Sequence, residues 1–201
     1  MMNEKKERII VKKMNIRTLT SVGLLSTLAY LLMLLNFPIP PFPSFLMIDF
    51  SDIPALIAAI IFGPLAGIMV ELVKNVLDFF MTGSPTGVPV GHLANFVAGI
   101  TFILPVYYVY KKFESKKGLT VALAAGAVFM AVMMSVLNYY VILPAYTLFL
   151  NAPAMSAPET KEMVVSAILP FNMIKGIVMA VVFLLIYSRI YVWMRKQAAV
   201  S

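Results

Sequence analysis

One apolar stretch near the C-terminus contains two polar side chains of kinds that are rare in a membrane-spanning helix. The stretch ILPFNMIKGIVMAVVFLL, residues 168–185, includes Asn172 and Lys175, three residues apart on one helical face. A charged side chain at membrane depth is costly unless it is paired or hydrated, so it marks a candidate functional site. Since Lys175 has no carboxylate within reach on its own helix, we expect it to be unpaired and, with Asn172, to contact a ligand. The alternative is hydrogen bonding between helices.

A second group of charges lies in the apolar segment 64–82. Glu71, Lys74 and Asp78 are spaced by three and four residues, so they share one helical face, and Lys74 can pair in either direction. We interpret the three as an internal ion pair that fixes helix packing. The same residues leave open a different class of protein, a proton-coupled secondary carrier.

The remaining intramembrane polar residues are mostly amides. Asn138 lies in the sequence NYY, and Asn95 lies in another apolar segment. Amides and one amine are poor proton relays, but they hydrogen-bond well to a neutral heterocycle with carbonyl and ring-nitrogen edges. For Asn95 we favour interhelical hydrogen bonding, and we also keep it among the candidate ligand contacts.

A proline-rich loop, PIPPFPSFLMIDFSDIP (38–54), follows the first apolar segment. Its LMIDF part is too apolar to be well solvated, so the loop could fold back over the helices as a lid. A proline-braced linker is the other interpretation. The candidate ligand contacts in this loop are Leu46, Met47, Ile48, Asp49 and Phe50.

Several chemistries have no residues to support them. The chain has no cysteine and a single histidine, His92, so no nitrogen or sulfur cluster is available for a transition metal. No Walker A, HExxH or GxSxG sequence occurs. We therefore predict no catalytic cofactor, no metal and no enzymatic activity, and we expect His92 to be a helix-start residue at the interface.

The composition predicts an all-α integral membrane protein with a single domain, residues 1–201. Hydrophobic residues make up 61% of the chain and charged residues 12%, with a mean hydropathy of +0.92. Several apolar runs are long enough to cross a hydrocarbon core. The short second span meets the third at Phe62-Gly63-Pro64, and Pro144 is expected to end or kink the fifth. The predicted spans are 16–36, 53–63, 64–82, 91–110, 119–143 and 163–192.

The basic residues predict the orientation. Most of the 16 lysines and arginines lie in residues 1–17, in 111–117 or after 188, which six crossings place on one side. The positive-inside rule makes that side the cytoplasm, so both termini, including the basic segment 1–15, are expected inside the cell. The charge suits anionic lipid, and nothing further suggests nucleic acid. On span 1, Gly23 and Thr27 form a small-xxx-small pair that would admit a partner helix.

Three stretches resemble the riboflavin-specific S component of energy-coupling factor (ECF) transporters. They are IDFSDIPALIAAIIFGPLAGIMVELVKNVLDFF (48–80), SVLNYYVILPAY (135–146) and ILPFNMIKGIV (168–178). The resemblance implies six helices in the plasma membrane of a prokaryote, with a riboflavin pocket near the extracytoplasmic face. Spans 4 to 6 would form that pocket, and the loop after span 1 would cover it.

The resemblance also implies roles for single residues. Asn172 and Lys175 would contact the polar edge of the isoalloxazine ring, Asn138 would be a third contact, and the LMIDF loop would add main-chain groups and apolar walls. Transport would require an ECF module, consisting of a transmembrane coupling protein and two cytoplasmic ATPases. Gly23 and Thr27 stand where S components often carry AxxxA. An S component for another vitamin, such as thiamine, is the nearest alternative.

Overall fold

The computed structural model describes residues 16–151 and 153–200, with side chains as far as 190, and most of these residues are helical. A two-stranded antiparallel hairpin, which pairs Phe37 with Ile48 and Pro38 with Met47, departs from the all-α prediction. The helices are α1 (Ile16–Met33), α2 (Asp52–Phe62), α3 (Pro64–Thr82), α4 (Val90–Phe113), α5 (Lys116–Leu137), α6 (Leu143–Phe149), α7 (Ala157–Met163) and α8 (Leu169–Val200); the strands are β1 (Phe37–Pro38) and β2 (Met47–Ile48).

Four helical segments in the described part of the chain are long and apolar enough to cross a membrane. They are Ile16–Met33, Val90–Phe113, Lys116–Phe149 and Ala157–Ile190. The other two predicted spans correspond to α2, which is apolar but has only 11 residues, and to α3, which has 19 residues and carries three charges. Helix α2 therefore differs from the four apolar segments in its length, and α3 differs from them in its charge.

The junction of α2 and α3 has the tight geometry that its sequence predicts. Gly63 has a φ of +99°, a conformation that a residue with a Cβ rarely adopts. Pro64 then opens α3, where its fixed φ suits the first helical turn and its missing N–H is not needed. The two helices pack side by side as a result.

Pro144 does not end the fifth helical segment. A π-helical turn, Asn138–Ile142, directly precedes α6, and the Leu143 N–H bonds to the carbonyl oxygen of Asn138, five residues earlier. The wider turn changes the register, so that Pro144 falls in the first turn of α6, where no N–H donor is required. The same arrangement recurs before α8, where the π turn Val164–Ile168 precedes Pro170.

The loop after α1 folds into the bundle. Leu46, Ile48 and Asp49 are buried, and the ring of Phe42 packs edge-on against Phe171 of α8, with 5.6 Å between the centroids. The ring of Phe45 lies 5.8 Å from that of Tyr146 on α6. The buried loop residues thus lengthen the short α2 toward the end of the bundle where α1 finishes. Aromatic contacts with α6 and α8 hold the loop in place.

Glycines allow close helix crossings. A Cβ at Gly126 on α5 would lie 2.5 Å from Val106 Cγ2 and 2.8 Å from the Phe102 carbonyl oxygen on α4. A Cβ at Gly176 on α8 would lie 2.5 Å from that of Ala127 on α5. These contacts bring α4, α5 and α8 close enough to enclose a site between them.

Helix α1 uses one face for packing and leaves the other exposed. Val22, Ser26 and Ala29 are buried against the bundle, whereas Gly23 and Thr27 are exposed. A Cβ at Gly23 would meet no described atom within 4 Å. The small pair named from the sequence therefore lies on the outer surface of the bundle.

Gly126→Ala should destabilise the bundle, because the added methyl group meets backbone as well as side-chain atoms and the helices must separate. We expect a loss of about 1–3 kcal/mol. Gly23→Ala adds the same group in open space and is the matched control, with no loss expected. Thermal unfolding of the two purified variants in detergent measures the difference, and equal transition temperatures would contradict the packing described here.

Candidate functional site

A fully buried amine, Lys74, joins α3 to the start of α2. Its Nζ donates to Ser51 Oγ at 2.6 Å, to Asp52 Oδ1 at 2.5 Å and to Glu71 Oε1 at 3.0 Å. Lys74 and Glu71 have no exposed surface, and Asp52 is almost as buried. Because three hydrogen bonds use all three N–H groups of the ammonium, this amine has no donor left for a ligand.

Asp49 links the same network to two other helices. Its Oδ1 accepts hydrogen bonds from the backbone N–H of Ser51, at 2.8 Å, and from the Ser51 hydroxyl. Its Oδ2 lies 3.5 Å from Asn95 Nδ2 on α4 and 3.6 Å from Lys175 Nζ on α8. The loop carboxylate therefore stands between the Lys74 network and the helices that carry the predicted ligand contacts.

The expectation that Lys175 is unpaired is wrong. Its Nζ lies 3.6 Å from Asp49 Oδ2 and 3.7 Å from Asp52 Oδ2. Both carboxylates come from the chain preceding or starting α2, so spacing along α8 could not reveal them. The two distances exceed ordinary hydrogen-bond lengths, and within the described residues the amine makes no hydrogen bond. The carboxylates stabilise the charge of Lys175 while its N–H groups stay available.

A cavity of about 220 Å³ lies beside Lys175, between the loop after α1, α3, α4, the π turn with α6, and α8. Polar side chains from several of these elements converge on it, and aromatic and aliphatic groups form the rest of its wall. The lining residues are Met33, Asn36, Phe45, Leu46, Met47, Asp49, Asp78, Gly91, His92, Ala94, Asn95, Ala98, Met134, Asn138, Ile142, Tyr146, Phe171, Asn172 and Lys175.

The two cavity amides on α8 and the π turn are held in the same way. Asn172 Nδ2 donates to the Ile168 carbonyl oxygen, and Asn138 Nδ2 donates to that of Met134, each at 2.8 Å. One N–H group of each amide is thereby used within its own helix. The amide oxygen and the second N–H group remain for a ligand, and each amide lies in or just after a π turn, a feature that is frequent at functional sites.

The structure brings most of the predicted ligand contacts together. Leu46, Met47, Asp49, Asn95, Asn138, Asn172 and Lys175 line the cavity. Ile48 is instead buried in the core, and Phe50 packs against that core, so neither side chain lines the cavity.

The three charged residues of α3 do not form the single ion-paired group that the sequence predicts. Lys74 pairs with Glu71 and with Asp52, and neither Lys74 nor Glu71 lines the cavity. Asp78 does not contact Lys74; its Oδ2 lies 3.0 Å from Nε2 of His92 on α4. Helical spacing alone predicts that Asp78 belongs to the ion pair with Lys74, but spacing within one helix cannot show that another helix supplies a partner.

Sequence reasoning missed several lining residues. The sequence predicts an interfacial position for His92 and does not single out Phe45, Tyr146 or Phe171, yet all four residues line the cavity. A usable signal was present in IDFSDIP, because two acidic residues in an apolar loop require basic partners, and only Lys74 and Lys175 are available at membrane depth.

Replacing the two buried lysines should have different effects on stability. Lys74→Met leaves Asp52 and Glu71 buried and uncompensated, so we expect a loss of about 3–5 kcal/mol or no folded protein. Lys175→Met should cost less, because Asp52 keeps Lys74 and Asp49 keeps Ser51. Yield of monodisperse protein and thermal unfolding in detergent measure both. A larger loss from Lys175→Met would show that the charge network depends on α8 instead.

Comparison with known proteins places this chain in one family. Residues 17–187 match the family model described as "ECF transporter, substrate-specific component". The "Riboflavin transporter FmnP" of Bacillus subtilis is 55% identical over 184 residues, which are 92% of this chain and 97% of that protein. The "Riboflavin transporter RibU" of Staphylococcus aureus is 42% identical over 180 residues, 90% of this chain and 93% of that one.

A solved structure agrees with these relatives. It is described as "Structure and mechanism of the S component of a bacterial ECF transporter", superposes with a TM-score of 0.76 and is 41% identical, covering 89% of this chain and 97% of the other. The chain therefore belongs to the substrate-specific components of ECF transporters, and it is a transport subunit, not an enzyme.

Proposed function

We propose that this chain is the high-affinity riboflavin-binding subunit of an ATP-driven ECF uptake transporter. The observation that carries the proposal is Lys175, a buried amine beside the cavity whose N–H groups no described residue uses. The names of the two relatives quoted above supply the ligand, because both are riboflavin transporters.

The cavity suits the chemistry of a flavin ring. Isoalloxazine has flat apolar faces and one polar edge with carbonyl oxygens and ring nitrogens. We assign that edge to the amine of Lys175 and to the amides of Asn172 and Asn138, each of which is fixed by a hydrogen bond within its own helix. Phe171 and Met134 provide apolar wall around them. A few placed polar groups in an apolar cavity are typical of small-molecule sites.

The loop after α1 is proposed as the cover of the site. Its residues Phe45, Leu46 and Met47 line the cavity, and its aromatic rings rest on α6 and α8. This supports the lid interpretation over a linker, since a linker would not contribute wall on one side and packing contacts on the other.

A proton-coupled carrier that uses the charges of α3 has less support. Glu71 and Lys74 are fully buried, bonded to each other and absent from the cavity lining. An S component for thiamine is disfavoured by the two relatives, whose names specify riboflavin.

The partner and the orientation follow from the same assignment. We infer that the chain acts with an ECF module made of a transmembrane coupling protein and two cytoplasmic ATPases, in a prokaryotic cell membrane with both termini inside. The cavity lies at the end of the bundle where α1 finishes and α4 begins, away from the basic residues 111–117. That placement supports an extracytoplasmic opening. The exposed Gly23 and Thr27 are proposed as the contact of α1 with the coupling protein.

The function is tested by looking for bound flavin. Protein purified from cells grown with riboflavin should be yellow and show the absorption bands of a bound flavin, and protein freed of ligand should quench the fluorescence of added riboflavin. Thiamine should not compete. Colourless protein that also fails to quench would overturn the proposal, and competition by thiamine would indicate the other vitamin.

Lys175→Met should weaken riboflavin binding strongly. A hydrogen bond to a charged group is worth about 1.5–3 kcal/mol, which corresponds to roughly 10- to 100-fold in affinity. The matched control is Lys111→Met, because Lys111 is half exposed and only forms a surface pair with Glu114. Fluorescence titration measures both variants, and an unchanged dissociation constant for Lys175→Met would remove this residue from the site.

A further inference from the structure

The buried charged residues around Lys74 include more acids than bases. The described members of this group are three acids, Asp49, Asp52 and Glu71, and two bases, Lys74 and Lys175. All five side chains are almost completely buried. If every acid were ionised, the group would carry one uncompensated negative charge. An isolated buried charge is strongly unfavourable, and a buried acid commonly takes up a proton instead.

Two of the three acids have contacts that stabilise a negative charge. Asp52 Oδ1 accepts a hydrogen bond from Lys74 at 2.5 Å, and Asp52 Oδ2 lies 3.7 Å from Lys175 Nζ. Asp49 Oδ1 accepts two hydrogen bonds from Ser51, and Asp49 Oδ2 lies 3.6 Å from Lys175 Nζ. Hydrogen-bond donors and a nearby cation both favour an ionised carboxyl group. Asp49 and Asp52 are therefore the acids that balance the two ammonium groups.

Glu71 has the least support for a negative charge. Within the described residues its side-chain donor is Lys74, whose ammonium group it shares with Asp52. The second amine, Lys175, pairs with Asp52 but not with Glu71. The Glu71 carboxyl group also lies against the middle of α4, so closely that a Cβ at Gly99 would overlap it. Backbone N–H groups in the middle of a helix are already bonded, so α4 supplies no donor there.

One oxygen of Glu71 and one oxygen of Asp52 lack a donor. Glu71 Oε2 and Asp52 Oδ2 are both buried without a hydrogen-bond partner among the described residues. Lys74 Nζ lies 2.8 Å from Glu71 Oε2, but its three N–H groups bond to other atoms. The Glu71 and Asp52 side chains are within hydrogen-bonding reach of each other. Two carboxylates only accept, whereas a carboxylic acid can donate to a carboxylate, so one proton between them satisfies both oxygens.

We propose that Glu71 is a neutral carboxylic acid that donates a hydrogen bond to Asp52, so that α2 and α3 hold a bound proton between them. With Glu71 neutral, two carboxylates face two ammonium groups, and the buried group carries no net charge. Two carboxyl groups that share a buried site hold one proton for the same electrostatic reason. Because Glu71 does not line the cavity, this proton belongs to the fold, and the inference does not depend on which ligand the cavity binds.

Infrared spectroscopy of the ligand-free protein in detergent tests the proposal, because a protonated carboxyl group has a carbonyl stretching band that a carboxylate lacks. Exposed acids are ionised at pH 7, so the wild-type protein should show this band from a buried acid alone. Labelling the glutamate side chains with carbon-13 should shift the band, and labelling the aspartate side chains should not. Comparison of labelled with unlabelled protein removes the bands of the detergent and the backbone.

Two variants assign the band to one residue. Glu71→Gln keeps the size of the side chain without a titratable group and should abolish the band that moves with labelled glutamate. Glu162→Gln is the matched control, because it removes an exposed acid and should leave the band unchanged. The proposal is overturned if no band of the wild-type protein moves with labelled glutamate, if that band persists in Glu71→Gln, or if a band moves with labelled aspartate instead. The wild-type spectra decide the outcome even where Glu71→Gln does not fold.

Discussion

The need to compensate the charge of Lys74 in a bundle interior is the constraint on which the rest of the structure depends. Its three hydrogen bonds reach Glu71 on its own helix, and Ser51 and Asp52 at the start of α2. An ammonium group at this depth is tolerated only with such partners. To supply these partners, the segment before α2 must enter the interior of the bundle, and this also places Asp49 there. The same arrangement brings Asp49 and Asp52 beside Lys175. The carboxylates that stabilise the fold therefore also stabilise the charge of Lys175 at the proposed ligand site.

The two buried lysines show how one residue type serves two purposes. The Lys74 ammonium contacts its acceptors at 2.5 to 3.0 Å and uses every N–H group. The Lys175 ammonium lies 3.6 and 3.7 Å from two carboxylates, close enough for electrostatic stabilisation but too far for good hydrogen bonds. One lysine is structurally saturated, and the other keeps its donors for the cavity. The acceptor distances of the two ammonium groups differ by only about one ångström. The packing of the loop and α2 against α8 sets the longer distances at Lys175.

The sequence predicted the helices well because apolar runs are local signals. Span 64–82 coincides with α3, and the Gly63-Pro64 junction has the predicted geometry. Contacts between distant segments were predicted less well. The partners of Lys175 and of Asp78 come from other elements, and no spacing within a helix reveals them. The π turns before Pro144 and Pro170 were missed for a related reason, since the sequence shows a proline but not the change of register that accommodates it.

The charges around the cavity also determine whether a charged or a neutral group of a ligand is favoured beside Lys175. Among the residues that the structure describes, Asp49, Asp52 and Glu71 face two ammonium groups, those of Lys74 and Lys175, so this network contains more carboxyl groups than amines. An anionic group placed beside Lys175 would compete with Asp49 and Asp52 for the same cation and would meet their repulsion. A neutral group with carbonyl acceptors gains hydrogen bonds from the free N–H groups without disturbing the pairs. Because the amides of Asn138 and Asn172 are also neutral and fixed by their helices, this face of the cavity favours an uncharged, hydrogen-bonding ring edge over an ion.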